Sequence, residues 1–395
     1  MEIELEEKYA LKSVNLRIAG YVFLSFIGYF CIGLPLAILP IYIHKSLGYS
    51  EVVSGVVISL QYLTTFVMRG YAGKVVDTHG PKLAVKISMS GFIISGILLV
   101  FSFLYASTPW LSLLILAITR LITGCAEGFI GASPINWAML NVGSRHTATA
   151  ISFNGIASYG ALAVGAPLGV FLQQMWGLQS ISFMIILAGL FGLFYTLPKK
   201  AAKTTAVVEE QLSFKKILAL VAPFGISLGL AGIGFGGISN FITLYYDYFN
   251  WSHAALCLTV FSILFIFGRM FFHQYIDKYG GMKVALICVF TEMIGLIILF
   301  LAGTQEVALI GAAITGLGFS LVFPALGVEA VRRAPAAYAG AALAGYGLFI
   351  DISLGLTGPM AGGVIKLFGM PYLFAFCSLM LVMCLILVAL LTRKG

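Results

Sequence analysis

Twelve apolar runs follow one another along this chain, at 17–43, 52–73, 82–105, 110–141, 146–174, 178–196, 217–247, 253–273, 283–303, 306–332, 337–366 and 370–392. Each has about the ~20 residues that an α-helix needs to cross a bilayer. Of the 395 residues, 60% are hydrophobic and only 10% charged, far more apolar sequence than a water-soluble core can use. The expected fold class is therefore an all-α membrane protein with twelve transmembrane helices. The run from Leu16 to Ile43 is too long for a cleavable signal peptide and reads as an uncleaved first helix.

The net charge of +8 would suit nucleic acid, but its distribution does not. With the helices numbered as above, every Lys and Arg except Lys45, Arg120 and Lys366 falls on one side of the membrane. The positive-inside rule makes that side the cytoplasm and places both termini there. The basic excess is thus a topology signal, and no nucleic-acid partner is expected. All six cysteines (Cys31, Cys125, Cys257, Cys288, Cys377, Cys384) lie within the runs and read as packing residues, not as disulfides or metal ligands.

A polar stretch between the second and third runs, Arg69 to Lys82, returns two hundred residues later as Arg269 to Lys283. Arg69, Asp77 and Gly80 are matched at the same spacing by Arg269, Asp277 and Gly280. A repeat at half the chain length predicts two pseudo-symmetric six-helix halves, 1–197 and 217–395, joined by a polar cytoplasmic linker at 198–216. Read as a turn, each stretch should face the other half: the one after helix 2 against the start of helix 11, the one after helix 8 against the start of helix 5. Helix starts carry partial positive charge, which suits Asp77 and Asp277. Arg332 and Arg333 precede helix 11 and Arg145 precedes helix 5, so each carboxylate has a cationic partner in prospect. Arg69, Gly73, Asp77, Gly80, Lys82, Arg145, Arg269, Asp277, Gly280, Arg332 and Arg333 are the expected gating residues, with Gly73 and Gly80 allowing close approach and a tight turn. Glu329, three and four residues before Arg332 and Arg333, is expected to form a local ion pair.

A charge in mid-membrane is costly and points to function. Helix 4 carries Arg120 and Glu127, seven residues apart, on one helical face but roughly 10 Å apart along the axis. Both can look into one wet cavity without pairing directly. Asp351 in helix 11 and Glu292 in helix 9 are further acids within the membrane. A carboxylate in a low-dielectric cavity can load and release a proton, and the expected proton-coupling residues are Glu127 and Asp351, with Arg120 beside them. Glu292 is the reserve candidate, ranked lower because a neutral, hydrogen-bonded carboxyl is the other reading there. Gln61, Tyr62, Asn136, Trp137 and Asn240 are the expected substrate contacts. The first helix carries two prolines within Gly33–Pro40, a kink. Small residues recur in helix 5 at Ala157, Ala161, Gly165 and Gly169, with Pro167 among them, and in helix 11 at Gly355, Gly358, Pro359, Gly362 and Gly363. They predict close helix packing at the junction of the halves.

These motifs resemble the major facilitator superfamily. Its loop signature Gly-x-x-x-Asp-Arg-x-Gly-Arg-Lys is matched by Gly73-Lys-Val-Val-Asp77-Thr-His-Gly80-Pro-Lys82, with Thr78 and Pro81 in place of two Arg. Arg120, Gly124 and Gly128 resemble the helix 4 motif associated with proton coupling. Gly160, Gly165, Pro167 and Gly169 resemble the antiporter motif of helix 5, with Ala166 where Gly precedes Pro in the pattern. Leu34 to Pro40 is similar to an exporter signature. Phrases such as Val57–Tyr62 and Leu321–Gly327 are similar to the bacterial YhhS/YfcJ group of inner-membrane exporters.

The resemblance implies a proton-coupled antiporter of the bacterial inner membrane, exporting a small polar or carboxylated metabolite, sugar-like or metal-chelating compounds included, by rocking the two halves. A proton-coupled importer and a transporter-like sensor or scaffold are the alternatives. No phosphate-binding loop, catalytic constellation or metal spacing is present in the sequence, so no enzyme, no metal and no cofactor beyond the coupling proton is expected. The expected partners are a small-molecule substrate and the lipid bilayer, and the expected state is a monomer.

Overall fold

The computed structural model describes residues 2–143, 147–202, 214–335 and 339–394. Among them there is no strand, and twelve helices are long and apolar enough to span a membrane. They are α1 (Val14–Ser46), α2 (Glu51–His79), α3 (Pro81–Leu104), α4 (Pro109–Val142), α5 (Thr149–Trp176), α6 (Gln179–Thr196), α7 (Lys215–Tyr248), α8 (Ala255–Phe272), α9 (Gly281–Phe300), α10 (Gln305–Arg332), α11 (Gly345–Phe368) and α12 (Met370–Arg393). Successive spans cross in opposite directions, so the start of α1 and the end of α12 share one face, called here the terminal face.

Prolines set the interruptions. A proline donates no amide hydrogen, so the carbonyl four residues earlier loses its helical partner. α1 ends its regular helix at Leu36, resumes at Leu39–Ile41 and closes in a wide turn at Tyr42–Ser46, the break that Pro35 and Pro40 foreshadow. α4 is interrupted between Ile130 and Ser133, directly after Ile130, whose carbonyl is the one that Pro134 leaves without a helical partner. α10 is interrupted between Phe319 and Val322, four residues before Pro324. Each half thus carries a proline-associated break in its fourth helix.

The polar stretch at 69–82 is not an extended turn. α2 stays helical to His79, and only Gly80 separates it from α3. Nothing before Gly80 breaks a helix, so the segment leaves the membrane as a helical extension with its polar side chains in water. Gly80 and Gly280 both end their helices at φ +84°, a conformation that favours glycine. This shared cap fixes the alignment of the halves: residue n of α2 and α3 corresponds to n + 200 in α8 and α9.

Small residues bring the helices into contact. Within the first half, a Cβ on Gly165 would stand 3.1 Å from the Gly33 Cα, and one on Gly169 would overlap the Leu34 carbonyl, so α5 lies tight on α1. Between the halves, α2 packs along α11 and α5 along α8. A Cβ on Gly358 would overlap the Gly55 carbonyl, and one on Gly362 would stand 2.9 Å from the Val52 Cα. Pro167 and Pro359 lie inside α5 and α11 without interrupting them.

Candidate functional site

The site is built along one face of α2. Gln61, Thr65 and Arg69 recur every fourth residue, so they stack on one side of the helix at the seam with α4 and α11. α4 can come this close because Gly124 and Gly128 lack side chains. A Cβ on Gly124 would overlap the Gln61 carbonyl, and one on Gly128 would stand 2.9 Å from the Met68 Cβ.

Arg120 and Glu127 do not touch, as their spacing requires. Gln61 joins them. Arg120 Nη1 donates to Gln61 Oε1 at 3.0 Å, and Gln61 Nε2 donates to Glu127 Oε2 at 2.9 Å. The amide can adopt only this orientation, since the guanidinium has no acceptor to offer. Thr65 Oγ1 lies 3.1 Å from the same Glu127 oxygen, 3.0 Å from the Gln61 carbonyl and 3.2 Å from the Gly124 carbonyl. One hydroxyl hydrogen serves one of these three acceptors at a time. Arg120 and Glu127 are 3% and 6% exposed, so each charge depends on this network.

One turn further toward the terminal face, Arg69 crosses the seam to Asp351. Its Nη2 donates to Asp351 Oδ1 at 2.8 Å, and its Nε pairs with the other carboxylate oxygen. The first contact is a charge-assisted hydrogen bond, and the second is an ion-pair contact without hydrogen-bond geometry. Arg69 also passes Gly131 at the break in α4, where the Tyr29 hydroxyl closes the same corner. The fourfold spacing of Gln61, Thr65 and Arg69 is visible in the sequence. Thr65 escapes a reading of the sequence because a lone Thr in a membrane helix commonly bonds its own backbone.

The corresponding positions of the second half are aromatic. Phe261 and Phe265 occupy the places of Gln61 and Thr65. A Cβ on Gly316 would overlap the Phe261 carbonyl just as one on Gly124 overlaps the Gln61 carbonyl, which aligns α4 with α10 and puts Phe319 in the place of Glu127. These three rings lie within 6.1–6.4 Å of one another, with Phe235 of α7 stacked on Phe261 at 5.2 Å and Tyr159 of α5 on Phe265 at 3.7 Å. Arg269, the counterpart of Arg69, reaches across to Gly155 of α5 and lies 5.1 Å from the Phe265 ring. Polar network and phenyl cluster thus occupy equivalent places in the two halves.

Tyr62 is 5% exposed and reaches Ser239 of α7. Asn240 is buried, with its Nδ2 unpartnered among the described residues. Along α7 a polar stripe of Ser239, Asn240, Thr243 and Asp247 leads toward the face opposite the termini. There a cleft of about 420 Å³ opens between α1, α5, α7 and α8, lined by Tyr42, Gln173, Gln174, Thr243, Tyr246 and His253 among others. Lys45 of α1 and Asp247 of α7 form an ion pair of 2.5 Å at its rim.

Several expected site residues stand elsewhere. Trp137 is fully buried, its ring 5.1 Å from Tyr21 and its Nε1 donating to the Lys200 carbonyl at 3.1 Å. A buried indole needs an acceptor, and this one finds it in the segment after α6, not in a substrate cavity. Asn136 lies beyond the α4 break, about 13 Å along the helix from Glu127, and belongs to that same end. Lys82 donates to the carbonyls of Leu197 and Lys199 at 2.7 and 2.6 Å, and Gly80 lies against the Ala202 carbonyl. Both clamp residues 197–202 onto their own half. The linker therefore begins as a docked segment, and its remainder at 203–213 lies outside the described residues. No described atom lies within 4 Å of a Cβ placed on Gly73 or Gly280, so neither serves close approach. Arg332 pairs with Glu329 at 3.2 Å, and Arg333 lies over the Phe224 ring at 5.9 Å, each within its own half. Glu329 also accepts from the Gly281 amide at the start of α9, at 3.2 Å. Asp77 and Asp277 are exposed at the terminal face. Arg145 lies outside the described residues.

The model of the Major Facilitator Superfamily matches residues 21–355 and 225–394. An uncharacterized MFS-type transporter of Pseudomonas aeruginosa (strain UCBPP-PA14) is 48% identical over 370 residues, covering 94% of this chain and 92% of that protein. One from Burkholderia pseudomallei (strain 1106a) is 44% identical over 362 residues, covering 92% and 88%. In fold, the chain is similar to the nucleoside transporter NupG at TM-score 0.69 and 15% identity, with 96% of this chain and 99% of that one covered. The human organic anion transporter MFSD10 (TETRAN) gives TM-score 0.68 at 14% identity, covering 95% of this chain and 99% of that one. With the family model matched across residues 21–394 and two relatives above 40% identity, this chain belongs to the Major Facilitator Superfamily.

Proposed function

We propose that this transporter is a proton-coupled antiporter that exports a small polar or carboxylated solute across the bacterial inner membrane, its terminal face cytoplasmic. The observation that carries the reading is the Arg69–Asp351 pair across the seam, continuous along α2 with the Arg120–Gln61–Glu127 chain. Asp351 holds Arg69 as a carboxylate. A proton on Asp351 removes that attraction and frees α2 from α11, so protonation and separation of the halves are one event. Glu127 accepts from Gln61 and Thr65 as a carboxylate. Once protonated it becomes a donor, Thr65 turns its hydrogen to a backbone carbonyl already in reach, and the Gln61 amide is released.

Arg120 then faces the seam with donors to spare, a fork suited to a carboxylate. The phenyl cluster of Phe235, Phe261, Phe265 and Phe319 holds the equivalent place in the second half. A solute with one polar or anionic end and one flat or apolar face fits between these walls. The positive side chains gathered at the terminal face support its cytoplasmic placement. The direction of transport rests on the α5 motif of Gly165, Pro167 and Gly169, which resembles that of antiporters and packs here on α1.

The experiment begins with metabolite profiling of deletion and overexpression strains. The solute that accumulates or is depleted is then loaded into proteoliposomes with an imposed pH gradient. Uphill movement that stops when a protonophore collapses the gradient, and stops in Glu127→Gln and Asp351→Asn, is the expected result. Uphill movement that survives in both single variants and in the double variant rules the assignment out.

A further inference from the structure

Glu292 sits midway along α9, wholly buried, and among the described residues neither of its carboxylate oxygens has a hydrogen-bond partner. It points at α7, where a Cβ on Gly234 would stand 2.7 Å from its Oε1. The α10 backbone at Gly318, two residues before the break at Ser320–Leu321, lies against the Glu292 main chain. The titratable groups facing it are the thiols of Cys288 on α9 and of Cys377 and Cys384 on α12, together with the Tyr159 hydroxyl of α5. No cation forms an ion pair with it among the described residues.

The first half shows what the fold itself needs at this place. The shared caps at Gly80 and Gly280 make Phe92 the counterpart of Glu292. A Cβ on Gly28 of α1 would stand 3.2 Å from the Phe92 ring, just as Gly234 of α7 faces Glu292. Phe92 is 1% exposed and fills the site with hydrocarbon. Packing therefore does not require an acid here. A lone ionised carboxylate in such surroundings would be strongly disfavoured. The side chain needs a proton, a bound cation or a partner brought by movement.

We propose that Glu292 is a further proton-binding site besides Glu127 and Asp351, away from the seam, occupied in this conformation and emptied when α10 bends at Ser320–Leu321 and uncovers it. The inference rests on the proton-coupled reading above, but its own signature is independent of transport. The Gly234 backbone of α7 shields the oxygens and Gly318 of α10 lies on the α9 backbone that carries the side chain, so a small displacement of either helix admits water. α10 packs along α8, which packs on α5 across the seam, and this contact links the proton on Glu292 to the halves' rocking.

The test is infrared spectroscopy of the full chain in lipid bilayers at neutral pH, in H₂O and D₂O, on wild type and Glu292→Gln. The expected result is a carboxylic-acid C=O band in wild type that Glu292→Gln diminishes. Glu292→Phe, which installs the residue of the first half, should fold to the same helical content and, like Glu292→Gln, lose at least half of the pH dependence of solute exchange. An unchanged acid band in Glu292→Gln overturns the proposal, because the group is then ionised or bound to a cation. A wild-type pH profile in both variants overturns it as well. If Glu127→Gln and Asp351→Asn leave proton-driven transport intact, the functional reading fails while the infrared band still decides Glu292.

Discussion

Arg69 and Asp351 stand on different halves of the molecule, and their side chains meet at two contacts across the seam between α2 and α11. The pair is lopsided: the Asp351 side chain is 4% exposed and that of Arg69 28%. Removing the arginine leaves a buried anion, whereas removing the aspartate leaves a cation that reaches water. Breaking a buried pair from one side costs about 3–5 kcal/mol, and replacing both members costs less. Arg69→Gln should therefore lower the thermal midpoint more than Asp351→Asn, and the double variant should recover part of the loss without recovering uphill transport. Wild-type midpoints for both single variants in a melting series would show that the pair does not latch the seam.

Gln61 carries two hydrogen bonds to charged groups, each worth about 1.5–3 kcal/mol. Gln61→Leu keeps the volume and removes both. Transport in proteoliposomes is expected to fall at least tenfold, the rate equivalent of roughly 1.4 kcal/mol, while Gln61→Glu restores only the contact to Arg120 and sets a second carboxyl beside Glu127. A Leu variant within twofold of the wild-type rate would mean that Arg120 and Glu127 work without their bridge.

Much of this is legible in the sequence, and the reasons differ from residue to residue. The twelve spans follow from apolar run length alone, as at 110–141, where α4 runs from Pro109 to Val142. The half-chain repeat foretells the shared caps at Gly80 and Gly280. Arg120 and Glu127 stand out because a charge is conspicuous among apolar neighbours. The bridge between them does not, because hydrogen-bond pairing across helices leaves no periodic trace in one helix. Arg69 reads with the polar stretch that follows it, yet its place at the start of that stretch carries it from the terminal face into the seam. Trp137 is misleading because an aromatic beside a polar residue looks the same in sequence whether it lines a cavity or braces a loop.

Two glycines, one on α2 and one on α4, offer a contrast in kind. A Cβ on Gly124 would overlap the Gln61 backbone, which cannot move without displacing the network, whereas one on Gly73 meets open space. Gly124→Ala should lose transport and about 1–3 kcal/mol of stability through overpacking. Gly73→Ala sits on an exposed helical turn and should be neutral or stabilising by up to about 1 kcal/mol. Paired melting and transport assays check both, and a harmless Gly124→Ala would refute the close packing of α4 on α2.

At the face opposite the termini, Lys45 and Asp247 tie α1 to α7 beside the cleft that leads to Thr243. Both side chains are partly exposed, at 55% and 33%, so the pair is worth about 0.2–1 kcal/mol. That is too little to hold the fold and enough to bias two conformations by up to about fivefold. Thr243 is 7% exposed, and its hydroxyl is unpartnered among the described residues. In a background with the six native cysteines replaced, Thr243→Cys should react slowly with a membrane-impermeant thiol reagent added at this face. Adding Asp247→Asn should raise that rate severalfold, and raised ionic strength should do the same in the parent because salt screens an exposed pair. The reversed pair Lys45→Asp with Asp247→Lys should restore the slow rate. Labelling that is indifferent to Asp247→Asn and to salt would show that the ion pair lies across the cleft without closing it.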